Sequence, residues 1–311
     1  TCKFIFKSYQ GIIDFRYVDP EFKPSDKENY IIKELLSAFP DASFSELIDI
    51  RFRLCTSRNQ KLIEQQKSFE LSFKEKGVNR FYQIKKLISD YGIPQTGRNV
   101  FLDVGCGSGT AVPWIMKDFI YGVGVDFSLI DLIIGKKFLQ EKGIDNLELI
   151  CADAKKLPFK KGCFDFVNAT DVIEHIVPGQ EIFLNEVNRV LKNGGGFYFN
   201  SPNRYNLFSC EPHVKVPFVG FMPRAWMNSY VQAIKGISYT TVRLLSLSDL
   251  KNYIISTFGN NFALSGPQVD LKAPANDFKR KIIKKFPCLL TVINKIFFYF
   301  TTNYHVIVFK S

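Results

Sequence analysis

The stretch FLDVGCGSGT (residues 101–110), followed by GVGVDFS (residues 122–128), decides the fold of this chain. Each stretch begins with an apolar run that ends in an aspartate, Asp103 in the first and Asp126 in the second. Three glycines at alternating positions follow Asp103, and glycine permits the positive φ and the close backbone approach of a tight turn. The pattern predicts a strand, a glycine-rich turn, a helix and a second strand, which is half of a nucleotide-binding fold.

Strands and helices continue to alternate after this motif. Apolar runs predict further strands at residues 147–153, 164–170, 196–201, 262–265 and 304–310. Helical spacing predicts helices at residues 111–117, 129–142, 180–191 and 248–258. Crossover helices imply parallel strands, so we predict an α/β fold with a Rossmann-like, mostly parallel sheet and helices on both faces.

The region before this sheet has the apolar spacing of amphipathic helices, over residues 28–91. Gly77 and Gly92 are predicted to end helices, and Pro94 prevents the last one from resuming. We interpret residues 1–96 as a helical N-terminal extension and residues 97–311 as the main domain. Two segments without the regular alternation are interpreted as insertions, at 202–240 and 271–300.

The bulk composition indicates a globular chain with an unusual charge. Of 311 residues 46% are hydrophobic and 23% charged, and the formal net charge is +11. This charge indicates either a solvated basic surface or an affinity for an anionic membrane, nucleic acid or acidic substrate. The seven cysteines form no CxxC pair and have no histidine at zinc spacing. We therefore expect a reduced, cytoplasmic chain with no disulfide framework and no metal site, although its start at Thr1 leaves open what precedes it.

The glycine spacing discriminates between nucleotide cofactors. Gly105, Gly107 and Gly109 form GxGxG with Thr110 next, so the GxGxxG fingerprint of dinucleotide sites is not met. Asp126 ends the second strand, where a carboxylate can accept from two ribose hydroxyls. Asp153 ends the third strand, where it can accept from the amine of a flat base. Each aspartate alone suits a helix cap, but at successive strand ends the two favour a ligand site.

Five ordered motifs resemble those of class I S-adenosylmethionine-dependent methyltransferases, of the type-11-like group that modifies small molecules and lipids. They are FLDVGCGSGT, GVGVD, CADAKKLPF, FDFVNATDVIEHI and EVNRVLKNGGGFYFNSPN, and they cover about residues 99–203. The resemblance implies S-adenosyl-L-methionine as cofactor and a seven-stranded sheet whose last strand, YHVIVFK, is antiparallel. The family's cofactor contacts carry over onto Asp103, Gly105, Cys106, Gly107, Asp126, Phe127, Asp153, Ala154 and Asp171.

Two histidines are candidate catalytic bases. In TDVIEH (residues 170–175), Glu174 and His175 follow the fourth strand by one turn. Histidine can take a proton near neutral pH, and a hydroxyl acceptor loses its proton as the methyl group arrives. The alternative is that His175 only hydrogen-bonds the loop that holds the next helix. The second candidate is His213, which lies in the insertion at 202–240.

Further residues near these histidines are candidate substrate contacts. They are Glu174 from the fourth-strand motif, and Glu211, Arg224 and Trp226 from the insertion. The alternative for the three insertion residues is a structural loop made rigid by its prolines. In residues 279–300, basic side chains precede an apolar run, which suits either peripheral contact with an anionic membrane or a helical insertion packed on the sheet. No apolar run reaches the roughly 18 residues of a membrane-spanning helix.

The resemblance implies an enzyme that transfers a methyl group to a small-molecule, glycan or lipid-like acceptor, and we expect oxygen as the methylated atom. The fourth strand continues as Asn168, Ala169, Thr170 and Asp171, not as the Asn-Pro-Pro-Tyr run typical of enzymes that methylate amide or exocyclic amino nitrogens. Two alternatives stay open, a nucleic-acid methyltransferase, which the net charge suggests but the motifs disfavour, and a non-catalytic cofactor-binding protein. The sequence predicts neither the acceptor nor the oligomeric state.

Overall fold

The computed structural model describes residues 6–19, 21–55, 64, 67–68, 71–90, 100–207, 209–266 and 298–311. It divides into two compact units. The first comprises Thr1–Ala169, Asn185–Tyr198 and Phe309–Ser311, and the second Thr170–Leu184 and Phe199–Val308. The predicted insertion at 271–300 and the basic segment at 279–300 lie outside the described residues, apart from 298–300. Within the described part, no helix has the length and apolar character to span a membrane.

The described residues contain nine strands and eight α-helices. The strands are β1 Lys7–Tyr9, β2 Ile12–Asp14, β3 Val100–Val104, β4 Tyr121–Asp126, β5 Leu147–Cys151, β6 Phe164–Thr170, β7 Leu191–Pro202, β8 Phe262–Ser265 and β9 Asn303–Phe309. The helices are α1 Asp26–Ala38, α2 Phe44–Cys55, α3 Phe73–Asp90, α4 Val112–Ile115, α5 Leu129–Lys142, α6 Gln180–Val190, α7 Arg224–Lys235 and α8 Leu247–Phe258.

The first unit contains a mostly parallel sheet in the order β1-β2-β5-β4-β3-β6-β7. Leu102 of β3 is in register with Val123 of β4 on one side and Val167 of β6 on the other, with all three strands parallel. These three residues are buried, as expected for parallel strands. In the second unit β8 and β9 pair antiparallel. The predicted fold class, including the antiparallel last strand, is confirmed, with nine described strands instead of seven.

The additional strands form a hairpin, β1–β2, in the region predicted to be helical. Asp14 of β2 is in register with Cys151 of β5, and the N–H of Phe15 donates to the carbonyl of Cys151 at 2.7 Å. Each strand has three residues, which is too short for an alternating pattern to be visible in the sequence. The predicted boundary between residues 96 and 97 falls outside the described residues and stays a prediction.

The prediction that Gly77 ends a helix is wrong, because this residue lies inside α3. A Cβ on Gly77 would lie 2.6 Å from the carbonyl oxygen of Ala111 and 2.6 Å from the Cβ of Trp114. The glycine therefore allows α3 to approach the start of α4 closely. The sequence signal of a glycine is the same for a helix end and for close packing, and only the neighbouring chain distinguishes them. Gly92, the other predicted helix end, lies outside the described residues.

Helix α5 has the bounds predicted from the sequence, because both of its ends carry capping signals. The Ser128 side chain accepts from the N–H of Asp131, and Gly143 ends the helix with a φ of +61°. Inside the helix, a Cβ on Gly135 would lie 1.7 Å from the carbonyl oxygen of Ser108. Helix α5 can therefore pack against the glycine-rich turn only because residue 135 has no side chain.

We predict that Gly135→Ala destabilises the protein more than Gly143→Ala, although alanine is the better helix former at position 135. The first substitution places a methyl group against the carbonyl of Ser108, so α5 and the glycine-rich turn must move apart. It should lower the free energy of unfolding by about 3 kcal/mol or more. The second strains one residue at positive φ, with no atom within 4 Å of the new Cβ, and should lower it by about 1 kcal/mol. Urea unfolding of both variants measures the difference. Equal losses would contradict the packing role of Gly135.

Candidate functional site

The glycine-rich turn after β3 has the open conformation that ligand-binding turns need. Gly105, Gly107 and Gly109 have φ values of +71°, +58° and +68°. The N–H groups of Gly105 and Cys106 both donate to the carbonyl of Val125, at 2.7 and 3.1 Å, which ties the turn to β4. A Cβ on Gly107 would meet no atom within 4 Å. At Gly107 the turn therefore presents bare backbone to open space.

Asp126, at the end of β4, connects this turn to helix α5. Its Oδ2 accepts from the N–H of Gly107 at 2.7 Å, and its Oδ1 accepts from the N–H of Ser128 at 2.8 Å. Burial raises the pKa of Asp126, while these backbone N–H groups oppose the rise. A carboxylate has about four lone pairs, so Asp126 keeps capacity to accept from hydroxyl groups of a ligand.

Asp103 and Cys106 lie buried beside the turn. Asp103 is 3% exposed and accepts a hydrogen bond from Nδ2 of Asn168 at 2.5 Å. Burial raises the pKa of Asp103 to about 6, although Arg80 and Asn168 favour the charged form. Burial also raises the pKa of the Cys106 thiol. A Cβ on Gly124 of β4 would lie 2.9 Å from the sulfur of Cys106, so that glycine makes room for it.

Arg16, which the sequence analysis missed, bonds to the segment directly after Asp126. Arg16, in the turn after β2, makes two parallel bonds to the carboxylate of Asp14, at 3.0 and 2.8 Å. Its Nη1 donates to Glu28 at 2.6 Å and to the backbone carbonyl of Phe127 at 3.1 Å. The N-terminal hairpin is thus hydrogen-bonded to the residue directly after Asp126. An isolated Asp-x-Arg sequence has no periodicity, so the amino-acid sequence gives no signal for the contact between Arg16 and Phe127.

Phe127 and Asp153 line a cavity of about 310 Å³ in the first unit. The ring of Phe22 packs edge-on against that of Phe127, with centroids 5.5 Å apart. Asp153 accepts from the N–H of Lys155 at 2.8 Å, so one carboxylate oxygen caps its own turn. The remaining lining residues come from the segment after β2 and from the turn after β5: Phe15, Arg16, Asp19, Glu21 and Lys156. The cofactor roles of Phe127, Asp153 and the neighbouring Ala154 stay predictions.

In the second unit, Asp171 directly follows β6 in an unusual backbone conformation. Its φ is +57°, which costs a non-glycine residue roughly 1 kcal/mol or more. The buried Asn200 holds it in place: its Oδ1 accepts from the N–H of Asp171 at 2.7 Å, and its Nδ2 donates to the Asp171 carboxylate at 2.9 Å. Asn200 was not among the predicted site residues. Its position at the end of an apolar strand was the available signal.

The structure brings Glu174, His175 and His213 together. Their ligand atoms all lie within 4.8 Å of one another, and the two imidazole rings are 4.8 Å apart in an edge-on arrangement. Glu174 is 0% exposed, and neither of its carboxylate oxygens has a hydrogen-bond partner among the described residues. Burial raises its pKa to about 8. Burial lowers the pKa of His175, and the neighbouring His213 lowers it further.

Glu211 orients His213. Its Oε1 lies 2.5 Å from Nδ1 of His213 and also accepts from the hydroxyl of Tyr239 at 3.2 Å. Its Oε2 accepts from the N–H groups of His213 and Val214, at 2.7 and 2.6 Å. Burial alone would lower the pKa of His213, but the bond to Glu211 outweighs it and the pKa is raised. The two histidines of the cluster thus differ, because among the described residues a carboxylate hydrogen bond is seen on the ring of His213 and not on that of His175.

The insertion at 202–240 supports this cluster with a small core of its own. Val216, Val219, Met227, Val231 and Tyr239 are buried against one another. The two other predicted substrate residues lie at the start of α7 in the same insertion. Arg224 pairs with Asp249 at 2.7 Å, and Trp226 is 65% exposed. Their acceptor roles stay predictions.

The second unit also contains an apolar cavity of about 770 Å³. Tyr299 and Phe300, from the segment that precedes β9, form part of its wall. This segment is hydrogen-bonded to Asn203, the residue after β7, whose Nδ2 donates to the carbonyls of Tyr299 and Thr301 at 2.8 and 2.9 Å. Side chains that line the cavity include Tyr205, Leu247, Ile255, Tyr299, Phe300 and Tyr304. The polar part of the lining includes Ser246, Ser248, Lys251 and Asn252.

Part of the chain is similar in sequence to known proteins. Residues 102–199 match the family model described as a methyltransferase domain. A malonyl-[acyl-carrier protein] O-methyltransferase of Herminiimonas arsenicoxydans is 28% identical over 119 residues, which is 38% of this chain and 43% of the relative. A demethylmenaquinone methyltransferase of Staphylococcus aureus is 33% identical over 128 residues, 40% of this chain and 49% of the relative. The chain thus spans less than half the length of these curated relatives.

A solved structure, of a putative sarcosine dimethylglycine methyltransferase from Galdieria sulphuraria, matches with a TM-score of 0.49 and 15% identity. The match covers 75% of this chain and 86% of that one.

We predict that Asp103→Asn stabilises the protein at neutral pH and not in acid. The folded-state pKa is about 6 against a reference of 3.8, so the folded carboxyl keeps its proton where the unfolded one has lost it. Ionising it in the fold costs about 3 kcal/mol. The gain in free energy of unfolding should be near zero below pH 4, rise between pH 4 and 6, and then level off. Urea unfolding of both proteins across this range measures it, and a constant difference would contradict the raised pKa.

Proposed function

Residues 102–199 of this chain form a methyltransferase domain of the class I, S-adenosylmethionine-dependent type, and from this premise we propose that the protein methylates an oxygen of a small-molecule, glycan or lipid-like acceptor. The observation that carries the proposal is the position of Asp126. Its carboxylate holds the glycine-rich turn open at Gly107 and keeps capacity to accept from a ligand.

The residues present fit this cofactor. The positive φ and open surroundings of Gly107 leave room for a ligand against the backbone. Asp126 would accept from ribose hydroxyls, and the cavity between Phe22, Phe127 and Asp153 would hold a flat base. When bound, S-adenosyl-L-methionine supplies a methyl group already activated on a sulfonium. Positioning of the acceptor by the protein can therefore supply much of the acceleration.

The second unit supplies groups that can remove a proton from a hydroxyl acceptor. Glu211 bonds to Nδ1 of His213, which leaves Nε2 of that ring to take a proton. The lowered pKa of His175 keeps its ring neutral near pH 7, so it is also able to accept one. A base with a pKa near the working pH is the most effective in general base catalysis. This pair of histidines supports an oxygen acceptor, since a hydroxyl needs deprotonation during transfer.

The apolar cavity in the second unit supports an acceptor with a hydrophobic part. Its aromatic and aliphatic lining suits an acyl, isoprenoid or ring system, and pockets of this kind bind ligands through apolar walls with few polar groups. The two curated relatives are named for malonyl-[acyl-carrier protein] and for demethylmenaquinone. We therefore place lipid-like acceptors first among the candidates.

We expect Asp126→Asn to weaken the binding of S-adenosylhomocysteine by about 100-fold in calorimetry, because it removes the charge that strengthens two hydrogen bonds. Asp145→Asn is the matched control, since this exposed aspartate lies in the loop before β5 and should bind as the parent protein does. No binding by the parent protein would contradict both the cofactor and the enzyme.

We expect mass spectrometry of lipid, quinol and glycan extracts, incubated with the protein and labelled cofactor, to find a product heavier by one methyl group. With that acceptor, His213→Gln and His175→Gln should lower kcat, by about 100-fold or more for the residue that acts as base, with cofactor affinity retained. Full turnover by both variants would exclude general base catalysis by either. Methylation of RNA instead, with steep salt dependence, would favour a nucleic-acid methyltransferase.

A further inference from the structure

Three side chains in the second unit are arranged like the ligands of a metal ion. Glu174 and His175 are neighbours on the short turn Ile173–His175 after β6, and His213 comes from the insertion. Each offers one ligand atom, and the three atoms lie within 4.8 Å of one another. Two imidazoles and one carboxylate form a donor set that first-row transition metals bind, with an open position left for a further ligand.

Glu174 provides an independent observation that points to a cation. A buried carboxylate without hydrogen bonds is costly, and such groups are paired, protonated or bound to a metal. Both oxygens of Glu174 are buried with no partner among the described residues, while its backbone carbonyl accepts from the N–H of Arg243 at 2.8 Å. The backbone is therefore held in place while the carboxylate points into the cluster without a donor.

Glu211 holds His213, one of the three side chains of the cluster. Its bond to Nδ1 of His213 determines which ring nitrogen faces the cluster, and metal-binding histidines commonly have such a partner on the second nitrogen. Tyr239 and two backbone N–H groups hold Glu211 in turn. Asp171 adds a further negative charge that acts on both histidines. The surroundings of the cluster thus favour a cation.

We propose that Glu174, His175 and His213 bind one divalent transition-metal ion of the zinc class, with Glu211 as the residue that positions His213. Ligand atoms surround zinc at about 2.0–2.2 Å, so the three side chains move closer together when the ion binds. His175 is exposed and gives the ion a path of entry. The sequence analysis expected no metal site because these histidines have no zinc-type spacing along the chain.

Metal binding does not rest on the proposed methyl transfer. A bound ion occupies ring nitrogens that otherwise accept a proton, and it can hold an oxygen ligand in its open position and lower the pKa of that ligand. The metal-free cluster, whose ring nitrogens can accept a proton, and the metal-bound cluster can therefore be distinguished by experiment. Binding measured without acceptor or cofactor tests the metal site alone, and its failure leaves the proposed methyl transfer untouched.

The test uses the full chain, stripped with a chelator and titrated with Zn²⁺ in a calorimeter, with Co²⁺ absorption in the visible range as a second readout. The parent protein should bind one ion with high affinity and give the Co²⁺ bands of a site with nitrogen and oxygen ligands. Glu174→Gln, His175→Gln and His213→Gln should each weaken binding by more than about 100-fold, and Glu211→Gln by about 10–100-fold.

Two control variants separate this site from adventitious binding. His305→Gln removes the third histidine of the chain, on β9, and Cys210→Ser removes an exposed thiol next to Glu211. Both should bind Zn²⁺ as the parent protein does. Glu174→Gln replaces a buried, unpartnered carboxyl group by a neutral amide of nearly the same volume, so it should fold, and circular dichroism checks this. Absence of binding by the parent protein, or unchanged binding in folded Glu174→Gln, would overturn the proposal.

Discussion

The carboxylate of Asp126 is the interaction on which the first unit depends. It accepts one N–H from the glycine-rich turn, at Gly107, and one from the start of α5, at Ser128. A single side chain thereby connects β4, the turn and the helix at the carboxyl edge of a parallel sheet, where open α/β folds bind their ligands. Gly135 completes the arrangement, because α5 can approach the turn only where no Cβ intervenes.

Two buried carboxylates in the second unit show opposite states. Glu211 accepts from two backbone N–H groups and from Tyr239, and it bonds the ring of His213, so its pKa is lowered although burial opposes this. The part of the chain that the structure describes offers Glu174 no such donors, and burial raises its pKa. The first is a structural element that holds a histidine in one orientation. For the second, burial makes the ionised form unfavourable, and binding of a proton or a cation removes this cost. Groups with such shifted pKa values concentrate at functional sites.

The sequence was a good guide where local signals act over one element. Helix α5 has its predicted bounds because a serine cap and a glycine end are both local. Strand β8 matches its prediction for the same kind of reason, a short apolar run between turn residues. The prediction failed for Gly77 and missed the β1–β2 hairpin and Arg16. Gly77 is needed inside a helix because Trp114 packs against it, and these two residues meet only in the folded chain. Arg16 and Asp14 are close in sequence, but only the fold shows that their side chains bond to each other.

The amino-acid sequence by itself determined the fold class and the class of cofactor. The fold class depends on the period of apolar side chains. The class of cofactor is implied by the resemblance of five motifs to a known family, and the glycines and Asp126 after the strands belong to these motifs. Only the tertiary structure decided which distant groups meet. Glu174 and His213 lie in separate segments, and their proximity results from how the turn after β6 and the insertion pack in the second unit. Burial, and with it the charge state of Glu174, is likewise a property of the folded chain, because it depends on which side chains exclude water.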